Sequence, residues 1–414
     1  MKHVHPVGMV GAMPQAIADS RRMRFIYVAT ASVFATIAAR GLTVPLYAHE
    51  LGASRFAVGA LFAGATIAAA LLSLPAGVLV DRFGARTLLV SSIIITALSQ
   101  IAIALTPGVA LLFLWQILGG LAAGIQTAAL FSAVTESVSP PRRGRAMGWL
   151  TFSMQAGFFL GPSIAGIALS WIDIRTDIGL STALLVFAIP GAIAVSNTIQ
   201  RTGTGLSIRG PLRALVRQRA FAAAAIGLLA MTLSWGTFGA FLPIFGREVL
   251  QLPNSQVGYL LALQAVVNGV SRIPAGRLVD RLRNRWPVVF VGAIVWSAAL
   301  VVLGHLTGFI GPAIVLAIGT PFLAAAFVTI GVVFGDLSGE STRGVTMGVY
   351  GTILFAGVST GPLIFGPIMQ SSGYAAGFTV SAVVAVLLAF VMAALQIEPL
   401  RRRSAVPVPP APET

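Results

Sequence analysis

The chain has 414 residues, of which 57% are hydrophobic and only 9% are charged, and its mean hydropathy is +0.91. A soluble domain of this composition would lack the polar residues needed to cover its surface, so the composition predicts an integral membrane protein. Cysteine is absent, which excludes disulfides and thiolate metal sites. The net charge of +15 comes from basic residues scattered between apolar segments, which argues against a nucleic-acid-binding surface.

Twelve apolar stretches follow one another along the chain. Each is long enough to cross a bilayer as a helix, which takes about 20 residues, and short polar connections separate them. The chain is therefore predicted to be an all-α membrane protein with twelve transmembrane helices. The predicted helices are 23–47, 55–80, 87–105, 109–135, 145–171, 179–199, 219–246, 255–279, 287–306, 309–335, 344–369 and 375–396.

The longest interior polar segment is rich in Arg, Gly and Ser, and it divides the twelve helices into two sets of six. A segment of this kind is typical of a linker. The predicted organisation is a cytoplasmic segment 1–22, a six-helix bundle 23–199, a cytoplasmic linker 200–217, a second six-helix bundle 218–396 and a disordered cytoplasmic tail 397–414.

The basic residues are concentrated in alternate connections between the predicted helices. When the N-terminus is placed inside the cell, most of the 27 Lys and Arg residues fall on the cytoplasmic side. Short loops that carry positive charge stay in the cytoplasm. Both termini are therefore predicted to be cytoplasmic, in a multi-pass protein of a bacterial inner membrane.

The two halves of the chain contain an internal repeat. Residues 75–82 read PAGVLVDR and residues 274–281 read PAGRLVDR, and the Gly-Pro pair at 161–162 recurs at 361–362. Because each half contains an even number of helices, the two halves have the same orientation and are related by an axis along the membrane normal. Parallel halves of this kind place the solute path at their interface.

The connection after the second predicted helix carries a longer motif. Residues 77–86 read GVLVDRFGAR, which resembles the signature Gly-x-Leu-x-Asp-Arg-x-Gly-x-Arg/Lys of the major facilitator superfamily. The second copy departs from this pattern at Arg283, where glycine is usual. The resemblance implies the twelve-helix fold of that superfamily, with two pseudo-symmetric six-helix bundles.

The two copies of this motif place an Asp-Arg pair at the cytoplasmic end of a helix. Charge pairs and helix dipoles at such ends can hold the two halves together in one state and release them in another. The alternative is that the arginines only keep these loops in the cytoplasm. The predicted gating residues are Gly77, Asp81, Arg82, Gly84, Arg86, Gly276, Asp280 and Arg281.

The fifth predicted helix contains a second motif. Gly157, Gly161, Pro162 and Gly166 resemble the Gly-x3-Gly-Pro motif that is typical of exporters in the same superfamily. Small residues spaced by four allow close helix approach, and proline bends a helix. The resemblance therefore implies export, while ordinary helix packing is the alternative because the eleventh helix repeats the pattern.

Polar residues inside predicted helices are candidates for solute binding, because they are costly in a membrane. Arg40 lies roughly 15 Å from the outer end of helix one and is expected to face the central cavity. Gln264, Asn268 and Arg272 are spaced by four and share one face of helix eight. Packing by interhelical hydrogen bonds is the alternative, and Arg272 could belong to a gate. The predicted substrate-binding residues are Arg40, Gln116, Gln264, Asn268, Arg272 and Trp235.

Ion coupling is less well indicated. Gln116 occupies a place where proton-coupled exporters of the superfamily commonly carry arginine, which weakens proton coupling through helix four. The acidic residues all fall in termini, loops or helix ends, where Glu50 beside His49, or Asp81, could still carry a proton. Two embedded arginines without embedded acids favour an anionic solute.

The resemblance implies a secondary transporter that moves a small organic solute by alternating access, with export favoured and proton antiport expected. Two alternatives stay open: uptake of an organic anion through Arg40 and Arg272, and a non-transporting membrane receptor of the same fold. The sequence contains no nucleophile–base arrangement, metal-ligand cluster or phosphate-binding loop, which predicts no enzymatic activity, no metal and no cofactor. The predicted partners are the solute, protons and the lipid bilayer, with no nucleic acid, and the predicted state is a monomer.

Overall fold

A computed structural model describes residues 9–138, 143–195, 213, 215–337 and 343–404. Within these ranges the regular structure is helical and contains no strand. The N-terminal half comprises α1 (Met9–Glu50), α2 (Arg55–Phe83), α3 (Ala85–Leu105), α4 (Val109–Ser137), α5 (Arg143–Ala168) and α6 (Ile174–Ala194). The C-terminal half comprises α7 (Arg219–Glu248), α8 (Asn254–Arg281), α9 (Trp286–Leu303), α10 (Ile310–Asp336), α11 (343–372) and α12 (374–404).

The predicted twelve membrane helices are confirmed. Within the described ranges, ten helical segments are long and apolar enough to cross a membrane, and the last of them, Val349–Gln396, is divided by the non-helical Gly373 into α11 and α12. The helix α8 has the length of a membrane span but too many polar residues to qualify by hydropathy. Counting α11 and α12 separately and adding α8 to the ten segments gives twelve membrane helices.

Two helices extend further than predicted. The helix α1 begins at Met9 rather than at 23, and α12 continues to Ser404. Polar residues can continue a helix beyond the hydrocarbon, so hydropathy marks the membrane span and not the helix end. Residues 1–8, most of the predicted linker 200–217 and the last part of the predicted tail, 405–414, lie outside the described residues.

Local chemistry explains the sharp turn between α2 and α3. Gly84 has a φ of 82°, a conformation that favours glycine, and its backbone N–H donates to Val80 O at 2.8 Å. The same residue precedes the first residue of α3. Gly84, one of the predicted gating residues, is therefore explained by the turn it forms.

Glycines set equivalent close contacts in the two halves. A Cβ at Gly161 in α5 would overlap Ala35 O in α1, and a Cβ at Gly361 in α11 would overlap Leu233 O in α7. The helix α5 therefore packs on α1 as α11 packs on α7. These matched contacts fit the pseudo-symmetry that the sequence repeat predicts.

The two bundles also approach each other closely through small residues. We call the end of the molecule that carries Glu50 and Arg55 the far side, and the end that carries the connection between α2 and α3 the near side. Between α5 and α8, a Cβ at Gly166 would lie 3.0 Å from Gly258 Cα. A Cβ at Gly258 would lie 2.5 Å from Pro162 O. The bundles therefore touch backbone to backbone in the half of the molecule nearer the far side.

We expect Gly161→Ala to destabilise the protein, because the added methyl group would overlap the α1 backbone at Ala35. Overpacking of this kind costs about 1–3 kcal/mol. Gly148→Ala, in the same helix, is the matched control because a Cβ there meets nothing within 4 Å. The melting temperatures of the two variants in detergent test the expectation, and an equal effect of both would contradict it.

Candidate functional site

A polar cluster joins the two bundles near the middle of α5 and α8. Gln155 Nε2 of α5 donates to Asn268 Oδ1 of α8 at 3.0 Å. Arg272 Nε donates to the same oxygen at 3.0 Å. Position 269 is also close to Gln155, because a Cβ there would lie in ordinary van der Waals contact with Gln155 Cβ, at 3.4 Å. We call Gln155, Asn268 and Arg272 the interface cluster.

The interface cluster contains two of the predicted substrate-binding residues and one residue that the prediction did not include. Gln264 is buried one turn before Asn268 on the same helix, as its spacing requires. From the sequence, Gln155 is a possible amide contact for which packing is favoured, because the sequence gives no indication of which face of α5 meets the other bundle. The sequence feature that could have identified it is an amide side chain inside a predicted membrane helix, since polar residues are rare there and often functional.

Arg272 carries a positive charge in this cluster. It is half-buried, and besides Asn268 it interacts electrostatically with Tyr350 of α11. Both of these partners are neutral groups. A half-buried guanidinium with neutral partners can bind an anionic or strongly hydrogen-bonding group of a ligand without losing an internal salt bridge.

Arg40 lies in a separate network inside the N-terminal bundle. Its Nε donates to Gln116 Oε1, its Nη1 donates to Ser99 Oγ at 3.0 Å, and its Nη2 donates to Trp115 O at 2.7 Å. Gly119 makes room for it, because a Cβ there would overlap Nη1. Only 9% of Arg40 is exposed. The structure therefore directs Arg40 toward α3 and α4 of its own bundle.

The remaining aromatic candidate packs within the C-terminal bundle. Trp235 of α7 is half-buried and meets Phe327 of α10 edge to face, with ring centroids 6.3 Å apart. Such a pair stabilises the contact between two helices. Direct contact of Arg40, Gln116 or Trp235 with a solute stays a prediction.

The predicted gating residues lie at the near side. The side chains of Arg82, Arg86, Asp280 and Arg281 are exposed there, and a Cβ at Gly276 would meet nothing within 4 Å. Gly77 and Asp81 belong to α2, but the structure describes neither the surroundings of Gly77 nor the side chain of Asp81. A gating role for the near-side residues therefore stays a prediction.

A charged contact joins the bundles at the far side. Arg55, the first residue of α2, donates to Glu248 Oε2, at the end of α7, from Nε at 3.1 Å and from Nη2 at 2.6 Å. Its Nη1 donates to Met369 O at 2.9 Å, and its guanidinium lies 4.4 Å from the centroid of the Tyr374 ring. His49 Nδ1 lies 3.5 Å from Glu248 Oε1. We call the Arg55–Glu248 pair the far-side latch.

The sequence did not predict the far-side latch, because its two residues are 193 positions apart. The sequence offered only a weak indication: Arg55 and Glu248 lie at helix ends, next to connections that carry few charges. With this latch formed, the contacts described between the bundles run from the far side to the interface cluster. The charged helix ends at the near side are exposed.

We expect Glu248→Gln to loosen the far side, since it removes the charge that Arg55 meets. A partly exposed ion pair contributes up to about 1 kcal/mol, which is about fivefold in an equilibrium constant. The reporter is Leu42→Cys in this chain without cysteine, because Leu42 is buried and its Cδ2 would lie 3.2 Å from a Cβ at Gly258 in the other bundle. The rate of thiol labelling at position 42 should rise by about this factor.

Asp336→Asn is the matched control for this experiment. It removes the Arg285–Asp336 ion pair, which lies within the C-terminal half. Labelling of the thiol at position 42 should be unchanged in this variant. Equal labelling rates in the Glu248→Gln and Asp336→Asn variants would contradict the latch.

A family profile and several known proteins are similar to this chain in sequence. A family profile described as Major Facilitator Superfamily matches residues 26–322 and 224–413. An uncharacterised MFS-type transporter of Methanocaldococcus jannaschii is 22% identical over 88% of this chain and 96% of its own length. Multidrug resistance protein 1 of Bacillus subtilis is 23% identical over 72% of this chain and 84% of its own length.

A solved structure has the same fold. It is a bacterial homologue of the human lysosomal transporter Spinster, in an inward-facing and unoccupied conformation. It superimposes with a TM-score of 0.73 at 15% identity and covers 95% of this chain and 99% of its own. At this identity the likeness concerns the fold alone.

Proposed function

The chain belongs to the Major Facilitator Superfamily, and we propose that this member exports small organic molecules across a bacterial inner membrane by alternating access. As a member of that family it is a multi-pass membrane transporter of small solutes and not an enzyme. The direction, the solute and the coupling ion are the proposed part.

The observation that carries this proposal is the interface cluster. Gln155 and Asn268 come from different bundles and meet midway along their helices. In a fold built from two parallel halves, a site at the interface near the membrane midplane is in contact with both moving parts. A solute bound there can therefore favour one arrangement of the bundles over the other by its differential contacts.

The far-side latch and the exposed near side suggest the order of events. A solute enters from the near side and binds at the interface cluster, where Arg272 and Asn268 offer a charge and an amide. Rotation of the bundles then separates Arg55 from Glu248 and brings the near-side helix ends together. Asp280 and Arg281 of the C-terminal half and Arg82 of the N-terminal half would meet in this second state.

The export direction rests on two supports. Relatives named multidrug resistance protein 1 of Bacillus subtilis and quinolone resistance protein NorA of Staphylococcus aureus match 72% and 83% of this chain, respectively. The Gly157 to Gly166 motif also resembles that of exporters.

The orientation in the membrane follows from the basic residues. With the concentration of arginines at the near side, the positive-inside rule makes that side and both termini cytoplasmic. Export then means release at the far side.

Proton antiport is the proposed coupling, with the transporter acting as a monomer. The far-side latch borders a cavity of about 340 Å³. Its lining includes His49, Glu50 and Glu248, which are the kinds of group that exchange protons as access changes.

Uptake of an organic anion is the second candidate. The observation that favours it is that the contacts described for Arg40 and Arg272 are all with neutral groups. A cationic site without an internal acid attracts a negatively charged ligand. The same residues would serve export of an anion, so direction decides between the two candidates.

Direction is tested with everted membrane vesicles compared with right-side-out vesicles. If the protein exports, everted vesicles energised by a proton gradient accumulate the solute and right-side-out vesicles do not. The reverse pattern would establish uptake and overturn the export proposal. A Glu248→Gln variant should lose its dependence on the gradient while keeping solute exchange.

The solute class is tested by thermal stabilisation of the purified protein with organic anions, cations and neutral compounds. Loss of a hydrogen bond from a charged group costs about 1.5–3 kcal/mol, so Arg272→Gln should raise the Kd for an anion about tenfold or more. Arg283→Gln is the matched control because Arg283 is exposed at the near side. Arg40→Ala should weaken the fold itself, since three partners lose their donor. Equal stabilisation of all proteins by cations or neutral compounds would contradict an anion site.

A further inference from the structure

A second cavity lies in the N-terminal bundle, away from the interface cluster. Its volume is about 160 Å³, and it lies between α5 and α6, with Ala39 of α1 as its floor. Ala165 and Ala168 of α5 and Leu184 of α6 form much of its apolar wall. Nothing in the proposed transport cycle uses this cavity, which we call the α5–α6 pocket.

The α5–α6 pocket opens on the outer surface of the bundle. At its rim, Leu180 is 59% exposed and Phe187 is 62% exposed, and Ile164 of α5 is also exposed. Large apolar side chains with this exposure in a membrane-spanning helix face lipid. The pocket is therefore reached from the hydrocarbon region, in the half of the bilayer nearer the far side.

A buried carboxyl group lines this apolar pocket. Asp177 is only 3% exposed, and its Oδ2 has no hydrogen-bond partner within the described part of the chain. Sequence reasoning counted it among acids at helix ends, but the structure buries it. Burial of a carboxylate without a partner is costly, and proteins meet this cost with a bound ligand, a partner or a proton.

Helix capping does not explain Asp177. Asp173 already caps α6, because its carboxylate accepts from Thr176 N at 3.1 Å and from Thr176 Oγ1 at 2.6 Å. These hydrogen bonds lower the pKa of Asp173. The nearby hydroxyl of Ser181 is also engaged, since it donates to Ile178 O at 2.8 Å and accepts from Gln100 Nε2 at 3.0 Å. Neither helix capping nor the Ser181 hydroxyl therefore supplies a hydrogen bond to Asp177 Oδ2.

We propose that the α5–α6 pocket binds a lipophilic ammonium compound from the bilayer, with its nitrogen on the Asp177 carboxylate. An ammonium group supplies donors and a charge opposite to that of the carboxylate. A metal ion would need several oxygen ligands, which this apolar lining does not offer. A cavity of about 150 Å³ holds a benzene ring, so the apolar part of the ligand is about one aromatic ring in size.

This site has the opposite charge preference to the interface cluster. Arg272 favours anions, whereas Asp177 favours cations, so the two sites are distinguished by ligand and by variant. The inference therefore stands independently of the direction and the solute of transport. It assigns the transporter a second, lateral site at which amphiphilic amines of the membrane bind.

The first test measures thermal stabilisation of the intact protein in detergent by benzylamine, with benzyl alcohol as the neutral compound of matched size. Benzylamine should stabilise the protein and benzyl alcohol should not. Asp177→Asn should raise the apparent Kd for benzylamine at least tenfold, and Arg272→Gln should leave it unchanged. Equal effects of the two compounds, or full binding by the Asp177→Asn variant, would overturn the proposal.

The second test locates the ligand. Because the chain has no cysteine, Ala168→Cys gives a single thiol in the pocket, and Leu160→Cys gives a control on the same helix outside the pocket lining. Saturating benzylamine should slow labelling of the thiol at position 168 about tenfold and leave labelling at position 160 unchanged. Ala183→Phe, which fills the pocket but keeps the carboxylate, should abolish binding as well. Protection of position 168 that persists when Ala183→Phe is added would place the amine elsewhere and refute this site.

Discussion

The close approach of α5 to α1 is the contact on which the rest of this structure depends. Gly157 and Gly161 bring the α5 backbone against Ala31 and Ala35 of α1, at distances that any side chain would prevent. In a bilayer, helices associate through packing of this kind because lipid chains remove the hydrophobic drive between them. This packing fixes α5 to its own bundle and leaves its other face toward α8.

That other face of α5 determines how the two bundles meet. Pro162 O and Gly166 lie against Gly258, and Gln155, further toward the near side, reaches Asn268. Smooth backbone contact permits small rotations, whereas a hydrogen bond between amides is broken or remade as the helices move. The same helix thus supplies a surface on which the bundles rotate and a polar group that responds to what is bound between them.

The sequence predicted the fold well because a lipid bilayer can be crossed by only a few kinds of backbone structure. Hydropathy and the repeat indicated twelve helices in two bundles, including α8, whose polar stripe lowers its own hydropathy. Spacing by four correctly placed Gln264, Asn268 and Arg272 on one face of a helix. Periodicity could not give the rotation of each helix against its neighbours. Arg40 therefore turned out to point into α3 and α4, and Asp177 proved to be buried.

Contacts between distant parts of the chain were also beyond sequence reasoning. Neither Arg55 nor Glu248 belongs to a motif, and only the fold brings them within hydrogen-bond distance. A helix-end charge looks the same in sequence whether it meets solvent or a partner. Only the structure shows whether a given helix-end charge meets solvent or a charged partner.

The placement of the few charged groups gives the transporter a switch of modest strength. Arg40 is satisfied within one bundle and so moves with it as a rigid unit, whereas Arg55 and Arg272 contact groups at the interface between bundles. A latch worth about 1 kcal/mol holds the far side closed without trapping it, because ligands supply differential binding energies of the same order or larger. The latch must be this weak for a bound solute to open it, and this is achieved by leaving both of its side chains partly exposed to water.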